Sequence, residues 1–251
     1  MPSSFPAPAR YRLLDLDADA RQDPLADEVL LSLATEGPVA CLWQADQGLV
    51  VPRTYTAHPG FIAVQKIFAA RGWPVHVRQS GGGVVPQGPG ILNLSLAYTV
   101  AGRPLDHSET FYRHLCGIIG AALLFFGIDA RAQAVEGSFC DGRYNLAVGQ
   151  PPRKIVGTAQ VWRRMPGQSP GCQVGLAHAL ILADCDPATI TGQANALEEA
   201  LGTPRRYAAD RIASLGSLLP EASRAAFLTA FHARLRDVLL ASPPIGPDPH
   251  D

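Results

Sequence analysis

Between residues 75 and 99 the chain places two alternating apolar and polar segments on either side of three consecutive glycines, and no other stretch limits its fold as much. Val75, His76, Val77 and Arg78 alternate as a strand does and run straight into Gln79, Ser80, Gly81, Gly82 and Gly83. Beyond the turn at Gly88, Pro89 and Gly90, the residues Leu92, Leu94 and Leu96 interleave with Asn93, Ser95 and Ala97, the pattern of a half-buried strand. The glycines are therefore predicted to lie in a loop held between two strands. Such a loop turns backbone N–H groups toward an anion.

The rest of the chain supplies elements around this loop. Leu25, Val29, Leu30 and Leu33 fall at helical spacing, with Asp23 ahead of Pro24 as a start signal, so a first helix is expected over 24–33. Further helices are expected over 61–71, ending at Gly72, and over 108–126. The latter is capped by Asp106 or Ser108 and turns Phe111, Leu115, Ile118, Ile119 and Ala122 inward. Residues 188–201 and 221–240 also read as helices. Short strands are expected over 39–43, 49–51, 144–148, 154–156, 159–163 and 177–182. The fold class that follows is α/β (α+β), a mixed β-sheet flanked by helices. The expected organisation is an N-terminal segment (1–22), a main domain (23–202) and a helical C-terminal extension (203–251), whose last ten residues hold four prolines and are expected to fray.

Composition narrows the function. A formal net charge of -1 over 251 residues excludes a polyanion binder that works by bulk charge, so nucleic acid is not an expected partner. The residues from Met1 to Arg10 show no signal-peptide pattern. The longest apolar stretch, 116–128, carries three glycines and falls short of the roughly 18 residues that span a bilayer. A cytoplasmic protein without membrane partners is expected. Cys41, Cys116, Cys140, Cys172 and Cys185 show no C-x-x-C spacing, which points to reduced thiols and to no metal site. Cys41, Cys116 and Cys185 have apolar neighbours and are expected in the core.

A second motif follows the glycines by about seventy residues: Arg153, Lys154, Ile155, Val156, Gly157, Thr158, Ala159 and Gln160. A lysine between β-branched residues and a glycine, paired with a Gly loop, reads as a phosphate or adenylate site. Glycines let the main chain approach a bound acyl-adenylate closely, and Arg78 is expected to set its guanidinium on a carboxylate or phosphate.

With both motifs in place the chain resembles the lipoate-protein ligase and octanoyltransferase family, whose catalytic fold is shared with the biotin-protein ligases. The family pattern R-x-S-G-G-G-A-V appears as Arg78, Gln79, Ser80, Gly81, Gly82, Gly83, Val84 and Val85. The pattern R-K-I/V-x-G-S/T-A appears at residues 153–159. The resemblance covers about residues 25–200 and implies a catalytic Lys154 at the activated carboxyl group, stabilising charge that develops there. It implies an acyl-adenylate held by Ser80, Gly81, Gly82, Gly83, Val84, Gly157, Thr158 and Ala159. His178 matches the histidine of the family's H-G strand, with Ala179 in place of the glycine; a histidine in a strand is also often a core residue. Gln87 stands where family members carry a histidine, and it hydrogen-bonds without gaining a charge. The G-R-G-R-x-G loop of biotin ligases is absent.

Two activities divide the family. Ligases use ATP with Mg2+ to make an acyl-AMP from lipoate or octanoate and pass the acyl group to a lysine of an apo lipoyl domain or glycine-cleavage H-type carrier protein. Transferases need no cofactor and carry the acyl group as a cysteine thioester, taking it from acyl carrier protein or another carrier domain. One transferase class places its cysteine where this chain has Gly175. The other places it in the loop before the lysine motif, close to the position of Cys140, which then reads either as a nucleophile or as pocket lining. Arg143, Tyr144, Asn145 and Leu146 match an R-N-D-L-like stretch of ligases. The resemblance favours the ligase, with the Cys140 transferase and a non-catalytic acyl-binding protein as alternatives.

Overall fold

The computed structural model describes residues 10–15, 23–165 and 171–245. Its strands are β1 (Arg12–Leu14), β2 (Val39–Trp43), β3 (Gly48–Pro52), β4 (Val75–Arg78), β5 (Val85–Gln87), β6 (Ile91–Ala101), β7 (Arg131–Ala132), β8 (Leu146–Val148), β9 (Arg153–Arg164) and β10 (Cys172–Leu182). The α-helices are α1 (Leu30–Leu33), α2 (Phe61–Ala70), α3 (Pro104–Leu124), α4 (Pro187–Ala200) and α5 (Arg224–Ala241). Seven strands form one sheet in the order β1-β2-β6-β10-β9-β8-β7, and three form a second in the order β4-β3-β5. Pairing is antiparallel except for β1 with β2 and β3 with β4, so both sheets are mixed, as the alternating segments predict.

The period of two along the central strands divides the large sheet into two unlike faces. Leu92, Leu94, Leu96, Tyr98 and Val100 of β6, with Ala177, Ala179 and Ile181 of β10, point to one side. There they meet Phe111, Leu115, Ile118, Ile119 and Ala122 of α3 and Phe227, Phe231, Leu235 and Leu239 of α5 in a continuous core. The opposite face is shared by two clusters. Leu180 and Leu182 join the small sheet, α2 and α4, while Leu176, Val174 and Ala97 join Cys41, Trp43 and the Leu30, Leu31 and Ala34 stretch. Between these clusters the face is polar, with Asn93, Ser95 and His178 on neighbouring strands. The cavity described below opens over it.

Several expected elements shift. The expected helix over 24–33 is a 3-10 turn (Ala26–Val29), the single α-turn of α1 and a second 3-10 turn (Ala34–Glu36), although Asp23 does accept the Leu25 N–H at 2.8 Å. Helix α3 begins at Pro104 rather than 108, because proline at the first helical position is already set for the helix. Asp106 is therefore inside the first turn, where Arg103 donates to it, and it does not cap. The two strands expected over 154–156 and 159–163 are one, since Gly157 stays paired with Leu180. The three short strands β1, β5 and β7 had no expected counterpart. Of the terminal segment expected to fray, residues 246–251 lie outside the described residues, as does most of the expected N-terminal segment. Cys41, Cys116 and Cys185 are buried, as expected.

Candidate active site

The site begins with an irregularity in β9. Val156 pairs with Leu146 and Lys154 with Ala147, so Ile155 is an extra residue on one side of the ladder. A bulge of this kind reverses the side-chain alternation. Ile155 and Val156 consequently both enter the core against α3, and Lys154 turns to the opposite face, which it shares with Gly157. Its Nζ lies only 2.9 Å from where a Cβ on Gly157 would stand, so this glycine leaves room for the ammonium.

Lys154 is 1% exposed. Its Nζ donates to the carbonyl oxygens of Phe139 at 2.6 Å and Cys140 at 3.0 Å and lies 4.9 Å from the centre of the Phe139 ring. An ammonium has three donors, so one is left for a substrate. Burial holds the Lys154 pKa down to about 8; the charges of Cys140 and Asp141 oppose that fall and Arg78 adds to it.

Cys140 arrives from the loop between β7 and β8. Its φ of 51° is left-handed, a conformation that residues with a Cβ rarely adopt. Its carbonyl is gripped from two sides, by Lys154 and by Asn145 Nδ2 at 2.8 Å, and Asn145 Oδ1 also accepts the Thr158 N–H at 3.3 Å. Asn145 is fully buried and ties the cysteine loop to β9. The Cys140 Sγ packs on the glycine loop, 2.8 Å from the Cβ position of Gly82, and Arg78 Nη2 lies 3.1 Å from the same point. Sulfur and guanidinium are thus within about 6 Å of each other.

Arg78 lines the cavity, and its guanidinium donates to the Val50 carbonyl at 2.9 Å, Gly81 at 2.9 Å and Gly83 at 2.8 Å, so it also shapes the glycine loop from inside. Gly82 has φ 110°, which a side chain would resist. Ser80 lines the cavity. Val84 does not line it; it is buried in the cluster beneath the small sheet. Gln87 is buried and exchanges two side-chain hydrogen bonds with Asn93, at 3.0 and 3.1 Å.

The cavity encloses about 720 Å³ including its open mouth. Lys154, Cys140 and Phe139 line it side by side, and Gly157, Thr158, Ala159, Leu176 and Leu180 add to its walls. His178 is paired with Ala159, two residues beyond Gly157, so it lies farther along the cavity. It is not a bystander in the core. Asp27 Oδ2 accepts from both His178 Nδ1 (2.8 Å) and Ser95 Oγ (2.7 Å), and Ser95 Oγ in turn accepts from Trp43 Nε1 at 3.0 Å. Asp27, Ser95, Trp43 and Asn145 carried no signal of their own in the sequence, apart from Asn145's place in the R-N-D-L-like stretch. Gly175 is covered by the Trp162 ring, 2.6 Å from its Cβ position, and has no room for a nucleophilic side chain.

Among the described residues no three His, Cys, Asp or Glu side chains are grouped to hold a metal ion, and no helix is long and apolar enough to cross a membrane. The site is a mainly apolar cavity whose lining includes a lysine, a thiol and Ser80 at the edge of the glycine loop.

Comparison with known proteins identifies the family and the fold. An uncharacterised Cupriavidus necator protein is 51% identical over 214 residues, covering 82% of this chain and 85% of its own. The octanoyl-GcvH:protein N-octanoyltransferase of Kyrpidia tusciae is 37% identical over 153 residues, covering 60% of this chain, and this chain spans 51% of its length. A crystal structure of lipoate-protein ligase A bound with ATP superposes with a TM-score of 0.62 at 18% identity, covering 90% of this chain and 86% of that one, and so shares the fold. Residues 20–236 match the lipoyl protein ligase A/B catalytic domain, and the chain belongs to that family of lipoate ligases and octanoyltransferases.

Proposed function

We propose that this protein is an acyltransferase that carries an octanoyl or lipoyl group as a thioester on Cys140 and delivers it to a lysine of an apo lipoyl or H-type carrier domain. The observation that carries this reading is the seat of the Cys140 sulfur: on a left-handed residue, against Gly82, in the cavity that Lys154 also lines. The name of the Kyrpidia relative supports it. In the first step Cys140 Sγ adds to the carbonyl carbon of the donor, the bond from that carbon to the carrier's nitrogen or sulfur breaks, and the leaving group takes a proton. In the second step the acceptor amine attacks the thioester, the amide forms and the thiol is released. Lys154 places positive charge beside the carbonyl oxygen in both steps.

A second reading, favoured by the complete pair of motifs at residues 78–85 and 153–159, is the ligase: ATP with Mg2+ would supply the adenylate, held by Lys154 and the amides of the glycine loop. In that case Arg78 goes on holding the glycine loop through its bonds to the Val50, Gly81 and Gly83 carbonyls, with its buried Nε still without a hydrogen-bond partner among the described residues.

Intact mass spectrometry of an apo carrier domain separates the two. Under the transferase reading, octanoyl donor without ATP acylates the domain, the enzyme itself gains an octanoyl mass, and Cys140→Ser loses both. A Cys140→Ser variant that acylates at the wild-type rate sinks this proposal, and acylation by free octanoate only with Mg-ATP establishes the ligase. Tight octanoate binding without product in any mixture would mark an acyl-binding protein.

A further inference from the structure

A fully buried carboxylate outside the cavity is left unexplained by this chemistry. Glu198, near the end of α4, is 0% exposed, and no cation among the described residues bonds it. It is satisfied by three hydroxyls: Tyr55 Oη donates to Oε1 at 2.6 Å, Tyr207 Oη to the same oxygen at 2.7 Å, and Thr203 Oγ1 to Oε2 at 2.5 Å. A cage of hydroxyl donors around a buried carboxylate, with Arg205 Nη1 reaching it only through Tyr55 Oη at 2.9 Å, is costly to assemble, and it fixes its donors in one geometry.

Tyr207 is held with unusual completeness. Its N–H donates to Asn195 Oδ1 and its carbonyl accepts from Asn195 Nδ2, both at 2.8 Å, so one side chain of α4 pins both backbone groups. The next residue, Ala208, donates its N–H to the Gly137 carbonyl at 2.8 Å, in the loop that carries Cys140, and the Tyr207 ring meets Phe139 edge-on. At its far tip, Tyr207 Oη lies 3.0 Å from the Cβ position of Gly83, and Cys140 N lies 3.9 Å from the same position. Gly83 and Cys140 come from different parts of the fold, and Tyr207 touches both loops that bear them.

We infer that Glu198 and Tyr207 are positioning residues: the carboxylate orients the tyrosine, whose hydroxyl sets the spacing between the glycine loop and the Cys140 loop. They act through those loops and touch no reacting atom. Burial, together with the hydrogen bond to Glu198, raises the Tyr207 pKa well above its ordinary value, so the hydroxyl remains a donor at working pH. Because the spacing depends on an oxygen facing Tyr207 rather than on its charge, Glu198→Gln preserves it, whereas Tyr207→Phe and Glu198→Ala do not.

The inference rests on the acyl-transfer reading, and its test keeps the two apart. Wild type, Tyr207→Phe, Glu198→Ala and Glu198→Gln are compared for carrier-domain acylation and, with no acyl donor present, for the rate of Cys140 carbamidomethylation followed by peptide mass. Small misplacements of reacting groups are expressed in kcat, so Tyr207→Phe and Glu198→Ala should lose about tenfold or more in kcat with KM within about twofold. In both variants the labelling rate should change at least about threefold, while Glu198→Gln stays near wild type on every readout. Wild-type kcat and labelling in Tyr207→Phe would overturn the inference, and so would a Glu198→Gln variant as impaired as Glu198→Ala. Absence of acylation by the wild type would overturn the functional reading instead, leaving the labelling rates to decide the positioning role.

Discussion

Lys154 is buried completely, and a buried ammonium makes stability depend on pH in a direction that can be worked out. In the unfolded chain it holds its proton up to the ordinary 10.5, while in the fold it releases it at about 8. Below pH 8 the fold therefore carries the whole cost of a desolvated charge. Between pH 8 and 10.5 the unfolded chain binds more protons than the folded one, so stability rises with pH until both forms are neutral. At about 1.4 kcal/mol per pH unit, the gap between 10.5 and about 8 corresponds to roughly 3 kcal/mol. The perturbation that isolates it is Lys154→Met in a Cys140→Ser background, where the thiol no longer titrates. The carbonyls of Phe139 and Cys140 lose a donor in this variant, but that cost is the same at every pH. Urea unfolding of Cys140→Ser with and without Lys154→Met, at pH 7 and pH 10.5, should show the lysine protein gaining roughly 3 kcal/mol on its methionine counterpart at the higher pH. A difference that stays constant within about 0.5 kcal/mol would refute the argument that Lys154 is charged at the expense of the fold.

Two further outcomes follow from the packing. Gly157→Val places methyl groups where Lys154 Nζ now lies, 2.9 Å from the Cβ position, and should lower the acylation rate by at least about tenfold with far-UV circular dichroism unchanged. Leu115→Ala opens a void between α3 and the large sheet at a side chain with no exposure, and chemical denaturation should report a loss of about 2–5 kcal/mol.

The sequence alone was sufficient for the elements whose residues answer to a local period. The alternation in β6, the run of Val75–Arg78 into three glycines, and the spacing of Phe111, Leu115 and Ile118 in α3 each report a repeat of two or 3.6 residues that the fold obeys. The two motifs likewise located the glycine loop and the lysine. What the motifs did not carry was the direction of side chains. Lys154 faces the cavity because Ile155 bulges out of the β8 ladder, a register event decided by pairing with residues 146–148 and invisible in the β9 sequence itself. Arg78 turns inward because Val50, Gly81 and Gly83 offer three carbonyls within its reach. Cys140 meets Lys154 because Asn145 holds the intervening loop, and His178 becomes a cavity residue because Asp27, 151 positions away, supplies the carboxylate that orients it. Short-range periodicity determines which residues form strands and helices. Contacts between distant segments exist only once the chain is packed, and in this protein they decide which side chains reach the site.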